Sequence, residues 1–367
     1  MSTPEKILVR GVNWLGDAVM TTPALLRLRA ARPEARITLL SPAKLADLWA
    51  HHPAVDAVLS FGGGESVLSV ARRLRAEKFD LALVLPNSPR SALEVFLAGI
   101  PQRVGGARPW RNFLLTQRVA SVPNAWPMRK RSVDEIRRLI QSPATPRVTA
   151  PATAHQSHQS HHYLRLAAAL GANPAPLAPH LTVTDDEVSA VRRRFGFAGA
   201  TPLLGLNAGA EYGPAKRWPR ERFIEAASLL REKTQCHWWI FGGPADAALT
   251  ADIVRALGSA ATNLAGRTTL RDLAAALKAC AVVLTNDTGP MHLAAAVGTP
   301  VIALFGSTSP ELTGPGWPGD ARQVLMKADA PCSPCFRREC PIDFRCMTGL
   351  RVESVVDATL AVLARRG

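Results

Sequence analysis

Tyrosine is almost missing from this chain, at 2 residues in 367, and aromatic residues together make up only 6%. Zinc-finger, RNA-recognition and helix-turn-helix signatures are missing too, so a basic nucleic-acid-binding protein is set aside and no nucleic-acid partner is expected. Long apolar runs are lacking: stretches such as Leu81–Leu85 fall far short of the ~20 residues a membrane span needs. The opening Met1–Arg10 has no apolar core of signal-peptide length, and a cytoplasmic protein is expected. Cysteine is sparse, six in all, which under reducing conditions excludes a disulfide framework and leaves free thiols or metal ligands. Acid is wholly missing from residues 103–131, which carry Arg103, Arg108, Arg111, Arg118, Arg129, Lys130 and Arg131. A solvated basic face would look the same, but a stretch this long without a carboxylate points to a docking surface for something acidic.

What is present is ordinary for a folded chain. Hydrophobic residues make up 47% and charged residues 20%, which excludes disorder of the whole, and 367 residues suggest about two domains. The net charge of 44 − 29 = +15 directs attention to anionic partners.

Short apolar runs alternate with helical patterns. Residues 7–11, 37–40, 57–61 and 81–85 read as strands, and 17–31 as a helix with apolar spacing at Val19, Ala24, Leu25 and Leu28. The second half repeats the scheme, with strands at 203–206, 238–241, 282–285 and 301–305 and helices near 221–233, 245–257, 269–280 and 290–297. Continuous apolar strands separated by helices require parallel sheets covered on both faces. The expected architecture is α/β with two Rossmann-like domains, residues 1–170 and 171–350, followed by a C-terminal helix at 351–367 near the hinge. Residues 142–162 are rich in Pro, Thr, Ser and His and read as a disordered or mobile insertion; four histidines in eight residues suit a surface loop better than a metal site.

Three turns carry chemistry. Gly11–Gly16 has the glycine spacing of a phosphate-binding P-loop, but Asp17 stands where that motif needs lysine, and a carboxylate repels phosphate. Asp17 is therefore either a helix cap or a general base at the carboxyl edge of the sheet. After strand 203–206, Gly209, Ala210 and Glu211 lead to Lys216 and Arg217, cations able to offset a diphosphate. Asn286-Asp287-Thr288-Gly289-Pro290-Met291-His292 runs from strand into helix, where Asp287 or Thr288 can cap and free amides make an anion site. Cys332, Cys335, Cys340 and Cys346 contain one proper Cys-x2-Cys, but the second pair is spaced too widely for the usual zinc ribbon, so reduced thiols are expected there, with a structural zinc as the alternative.

These stretches, Gly11–Pro23, Gly209–Pro219 and Asn286–Ala295, resemble the bacterial ADP-heptose:lipopolysaccharide heptosyltransferases, glycosyltransferases of the GT-B fold. The run at 213–219 and the cysteine tail are most similar to the heptosyltransferase II branch. The resemblance implies two domains facing an interdomain cleft and an inverting transfer, without metal or other cofactor, from ADP-L-glycero-D-manno-heptose onto heptosyl-Kdo-lipid A. It implies Asp17 as base and Lys216 as the group that stabilises leaving ADP, with Gly209, Ala210, Glu211, Arg217, Asp287, Thr288, Gly289 and His292 around the donor. The phosphorylated acceptor would meet Asn13, Trp14, Arg108, Arg111, Arg129, Lys130 and Arg131, and the enzyme would sit peripherally on the inner leaflet of the cytoplasmic membrane. Transfer of the first heptose onto Kdo, another acceptor, or a nucleotide-sugar epimerase are the alternatives.

Overall fold

The computed structural model describes residues 4–122, 125–141 and 154–365. The chain divides into two compact units: Met1–Ala125 with Gln156–Thr182, and Trp126–His155 with Val183–Gly367. In chain order the first unit holds β1 (Lys6–Arg10), α1 (Leu15–Ala31), β2 (Arg36–Pro42), β3 (Ala57–Phe61), α2 (Val67–Glu77), β4 (Leu81–Val84), α3 (Pro89–Leu97), β5 (Gln102–Gly106) and β6 (Gln117–Val119). Helix α4 (Val133–Gln141) belongs to the second unit, and the chain then returns to the first for α5 (Gln159–Ala168). The second unit continues with α6 (Asp185–Arg194), β7 (Leu203–Asn207), α7 (Arg220–Thr234), β8 (His237–Phe241), α8 (Ala247–Leu257), β9 (Ala261–Asn263) and α9 (Leu270–Ala279). It closes with β10 (Val282–Asn286), α10 (Gly289–Ala296), β11 (Val301–Phe305), α11 (Pro310–Thr313), β12 (Gln323–Lys327), α12 (Arg345–Thr348) and α13 (Val352–Ala364).

Each unit is built on one six-stranded sheet, ordered β3-β2-β1-β4-β5-β6 in the first and β12-β11-β10-β7-β8-β9 in the second. Every strand pair is parallel. Counted from the first strand of each unit, both orders are 3-2-1-4-5-6, the doubly wound topology. The strand order reverses between β1 and β4 and again between β7 and β10, so the loops leaving those strands open a crevice at the carboxyl edge, where ligands of such sheets bind. Burial explains the apolar runs: all five residues of β7, β10 and β11 are buried, as a sheet covered on both faces requires.

The first unit packs Leu8, Leu40, Val84 and Val95 into its core. The second gathers Leu204, Trp218, Trp238, Leu284 and Ile302, and α13 contributes Val355 and Val356. Two expectations need correction. The units do not divide at residue 170, because Ile136 of α4, 1% exposed, is buried in the core of the second unit. Of the insertion expected to be mobile, residues 142–153 lie outside the described residues, but 154–162 form a 3-10 turn (Ala154–Ser157) and the start of α5. That segment is ordered because α5 packs on α1, burying Tyr163, Leu164, Leu166 and Ala167, and because His158 accepts a cap bond from the Ser160 amide at 3.3 Å.

Helix α1 carries Pro23 in its interior, which removes the amide that would bond the Val19 carbonyl. The Thr22 hydroxyl donates to that carbonyl instead at 2.9 Å, and Thr22 Oγ1 in turn accepts from the His180 amide at 3.1 Å. The helix thus continues through its proline while tying residue 180 to the first unit.

Candidate active site

In the first unit the loop after β1 carries Asn13 and Trp14 and leads into Asp17 of α1. Trp14, not Asp17, is the N-cap of α1, and its side chain makes no cap bond. Asp17 lies in the first helical turn, where its charge complements the helix dipole, and it is half-buried. Tyr163 of α5, 3% exposed, donates its phenolic hydrogen to Asp17 Oδ1 at 3.4 Å. Burial, with the Asp17 charge second, raises the Tyr163 pKa well above its ordinary value, so the phenol stays a donor.

Behind the loop lies a buried ion pair. Arg10 Nε donates to Glu94 Oε2 at 2.8 Å, with the two side chains 2% and 0% exposed. The same guanidinium donates to the Gly11 carbonyl at 2.6 Å and to Asn13 Oδ1 at 3.3 Å, and it lies over the Phe61 ring at 4.4 Å. Burial lowers the Arg10 pKa and Glu94 draws it back up. The pair anchors the loop that presents Asp17, since its hydrogen bonds hold Gly11 and Asn13.

The basic stretch divides between the units. Arg108 donates to Ser121 Oγ at 2.7 Å, and Arg111 is completely buried. Arg129, Lys130 and Arg131 belong to the second unit, where Arg129 pairs with Glu135 at 2.6 Å and the Arg131 amide donates to the Cys335 carbonyl at 3.0 Å. Lys130 is exposed. Trp14 is 45% exposed, with Lys44 over its ring at 5.4 Å.

In the second unit three carboxyl-edge loops converge on one carboxylate. Lys216, from the loop after β7, places Nζ 2.6 Å from Asp287 Oδ2. Asp287 follows β10 directly and is 3% exposed. Thr308, from the loop after β11, donates its hydroxyl to the same oxygen at 2.5 Å. The lysine also lies over the Tyr212 ring at 5.0 Å. An ammonium has three protons and this contact uses one, so Lys216 can hold Asp287 and still donate to a phosphate oxygen. Next to it, Thr288 is the N-cap of α10 without a side-chain cap bond, which leaves first-turn amides for an anion. Gly289 and Pro290 open that helix, and His292 is buried within it.

Buried amides hold these loops in place. Asn286 Nδ2 donates to the Ala208 carbonyl at 2.7 Å, and its Oδ1 accepts from the Trp218 amide at 3.0 Å. Asn207 Nδ2 donates to Thr285 Oγ1 at 3.2 Å, joining β7 to β10 across the point of reversal. Gly209 allows the close approach of Asp246: a Cβ there would stand 2.5 Å from the Asp246 carboxylate. Arg217 donates to the Ala210 carbonyl at 3.2 Å, and Glu211 is exposed.

Tyr163, Thr308 and the Arg10–Glu94 pair escaped the sequence reading. Gly306-Ser307-Thr308 directly after the apolar β11 is a signal of the same kind as the other two turns and could have been found. Tyr163 lies next to the stretch read as a loop, and nothing local links it to Asp17. The four tail cysteines are all free thiols, three of them buried, and burial raises the Cys346 pKa to about 12. Among the described residues, no group of three or more His, Cys, Asp or Glu is placed to hold a metal ion.

Comparison with known proteins places the chain among glycosyltransferases. The profile of glycosyltransferase family 9 (heptosyltransferase) matches residues 67–344. Lipopolysaccharide heptosyltransferase 2 of Salmonella typhimurium and that of Escherichia coli are each 34% identical to the chain over 322 residues, covering 84% of it and 85% of their own length. The solved structure of E. coli ADP-heptose LPS heptosyltransferase II aligns with a TM-score of 0.77 at 28% identity, covering 98% of this chain and 99% of that one.

Proposed function

Since the chain belongs to glycosyltransferase family 9, we propose that it transfers heptose from ADP-L-glycero-D-manno-heptose to the heptosyl-Kdo-lipid A core of lipopolysaccharide. The observation that carries this reading is the Lys216–Asp287–Thr308 cluster beside the uncapped start of α10, at the strand-order reversal of a family 9 chain. It is suited to a nucleoside diphosphate, with one ammonium and the Thr288 and Gly289 amides for the phosphates.

Asp17 takes the proton of the acceptor hydroxyl as its oxygen bonds to the anomeric carbon. The bond from that carbon to the diphosphate oxygen breaks, ADP departs with the electron pair, and the configuration inverts. Lys216 and the amides at Thr288 and Gly289 meet the charge that develops on the leaving group. Asp287 fixes Lys216, and Thr308 fixes Asp287. Gly209, Ala210, Glu211, Arg217 and His292 complete the donor side, whereas Asn13, Trp14, Arg108 and Arg111 serve the acceptor. Arg129, Lys130 and Arg131 are further cations for it.

Peripheral binding at the inner leaflet of the cytoplasmic membrane belongs to the same reading. No helix among the described residues is long and apolar enough to cross a membrane. Trp110 and Phe113 are 55% and 74% exposed within the basic stretch, and exposed Arg118 lies close by in sequence. Aromatic side chains at the interface with cations worth about 1 kcal/mol each suit an anionic leaflet.

The test is a transfer assay with ADP-heptose and two acceptors, Kdo-lipid A and its mono-heptosylated form, read by mass spectrometry. Addition only to the mono-heptosylated acceptor is expected. Addition to Kdo-lipid A instead would make it a first-heptose enzyme, and addition to neither would overturn the reading.

A further inference from the structure

Among the described residues, Arg111 is a buried cation with no carboxylate partner. Its side chain is 0% exposed, and one terminal nitrogen donates to the Pro86 and Ser88 carbonyls. Nε and the other terminal nitrogen find no hydrogen-bond partner among the described residues. Burial first, then the charge of neighbouring Arg108, lowers its pKa to about 10. A guanidinium offers its donors as a planar fork, and leaving that fork buried and unpaired is costly.

Polar side chains gather near it. Arg108, Asn87 and His162 are half-buried above it. Gly106 of β5 lets this cluster pack closely, since a Cβ there would stand 2.6 Å from Asn87 Oδ1 and 3.4 Å from His162 Cε1. Asn87 Nδ2 lies 3.4 Å from His162 Nε2. Burial first, then Arg165, Arg108 and Arg111, lowers the His162 pKa to about 4, so a ring among three cations is kept neutral.

We propose that Arg111, with Arg108 and His162 around it, seats one anionic group of the acceptor, a carboxylate or a phosphate monoester, at the carboxyl edge of β4 and β5. This rests on the reading of the first unit as the acceptor side. The seat explains how an acceptor is held in register with the base. His162 is followed in α5 by Tyr163, whose hydroxyl reaches Asp17, so an anion at Arg111 is one residue along the helix from the group that holds the carboxylate. Exposed cations such as Arg118 attract the acceptor from a distance; Arg111 fixes where one of its charges comes to rest.

Two measurements test this on the full chain. Inorganic phosphate and, separately, acetate are titrated into the wild-type protein while the His162 ring resonances are followed by NMR. A saturable shift, with the His162 titration midpoint moving up from about 4, is expected from the anion that fits. Saturation by acetate alone assigns a carboxylate and saturation by phosphate alone a phosphate monoester. No shift from either overturns the proposal, and this holds even if no acceptor is ever turned over.

The second measurement is steady-state kinetics of Arg111→Lys, which keeps the charge and loses the fork, and of Arg108→Ala on the half-buried rim. Arg111→Lys should raise the acceptor KM roughly tenfold or more, with ADP affinity unchanged. An unchanged acceptor KM in both variants overturns the seat. A wild type that transfers to neither acceptor defeats the heptosyl reading, while the anion titration still decides Arg111.

Discussion

Replacing Lys216 by methionine separates the two tasks assigned to it. Its Nζ lies 2.6 Å from an Asp287 carboxylate that is only 3% exposed, while the lysine side chain itself is 12% exposed. Deleting one partner of a buried pair costs about 3–5 kcal/mol, because the other charge is left unpaired. The lysine keeps some water contact and Thr308 still donates to Asp287, so the lower end applies, about 3 kcal/mol. At about 2–4 °C per kcal/mol for a unit of this size, calorimetry should show the second unit melting about 6–12 °C lower. The double variant Lys216→Met/Asp287→Asn removes the stranded charge and keeps an acceptor for Thr308, so it should regain about 2 kcal/mol of that loss. Turnover should not return with stability: removing a preorganised donor to developing negative charge costs about 100- to 1,000-fold in kcat. Both variants therefore transfer heptose poorly, and only one is unstable. If single and double variants melt together, the pair does not carry the charge of Asp287. If Lys216→Met retains turnover within a few-fold, the lysine serves the fold alone.

Asp17→Asn should lose about 100- to 10,000-fold in turnover with ADP binding unchanged by calorimetry, and near-normal turnover would return Asp17 to a structural role at the start of α1. Tyr163→Phe removes only the 3.4 Å hydrogen bond to Asp17, so a loss of about 2- to 10-fold in kcat is expected, with a shifted acid limb of the pH–rate profile marking a positioning effect. Burial holds both His52 and His162 neutral with pKa values of about 4, against an ordinary 6.5. The unfolded chain therefore binds more protons between those values, and stability falls as pH drops from 6.5 to 4, by about 3 kcal/mol for each histidine. Urea midpoints across that window check this; a flat series would refute it, and His52→Gln should remove roughly half of the slope. Trp110→Ser/Phe113→Ser should weaken binding to anionic vesicles while leaving binding to ADP intact, and wild-type binding that ignores both salt and anionic lipid would end the membrane reading.

Much of the fold was legible because its signals are local. Strands such as 282–286 and 301–305 are mostly apolar, buried along their whole length and separated by helices, which is the pattern of a parallel sheet covered on both faces. The short edge strands were not legible: β6 is Gln117–Val119 and β9 is Ala261–Asn263, three residues each and only partly buried, too short for any period. Candidate site residues in glycine-containing turns after strands, Asp17, Lys216 and Asp287, could be read from type and position alone.

Their partners could not. Lys216 meets Asp287 across 71 residues, and Tyr163 meets Asp17 across 146. A strand that pairs with an earlier one brings its loop to the same edge, and no local pattern records which side chains then meet. Charge shows the same division. The sequence by itself determined that residues 103–131 are basic and free of acid; only the tertiary structure decided that Arg111 is buried, without a counterion among the described residues, while Arg129–Arg131 belong to the other unit. Composition and periodicity act through neighbours along the chain, whereas burial and ion pairing are set by which distant segments share a core.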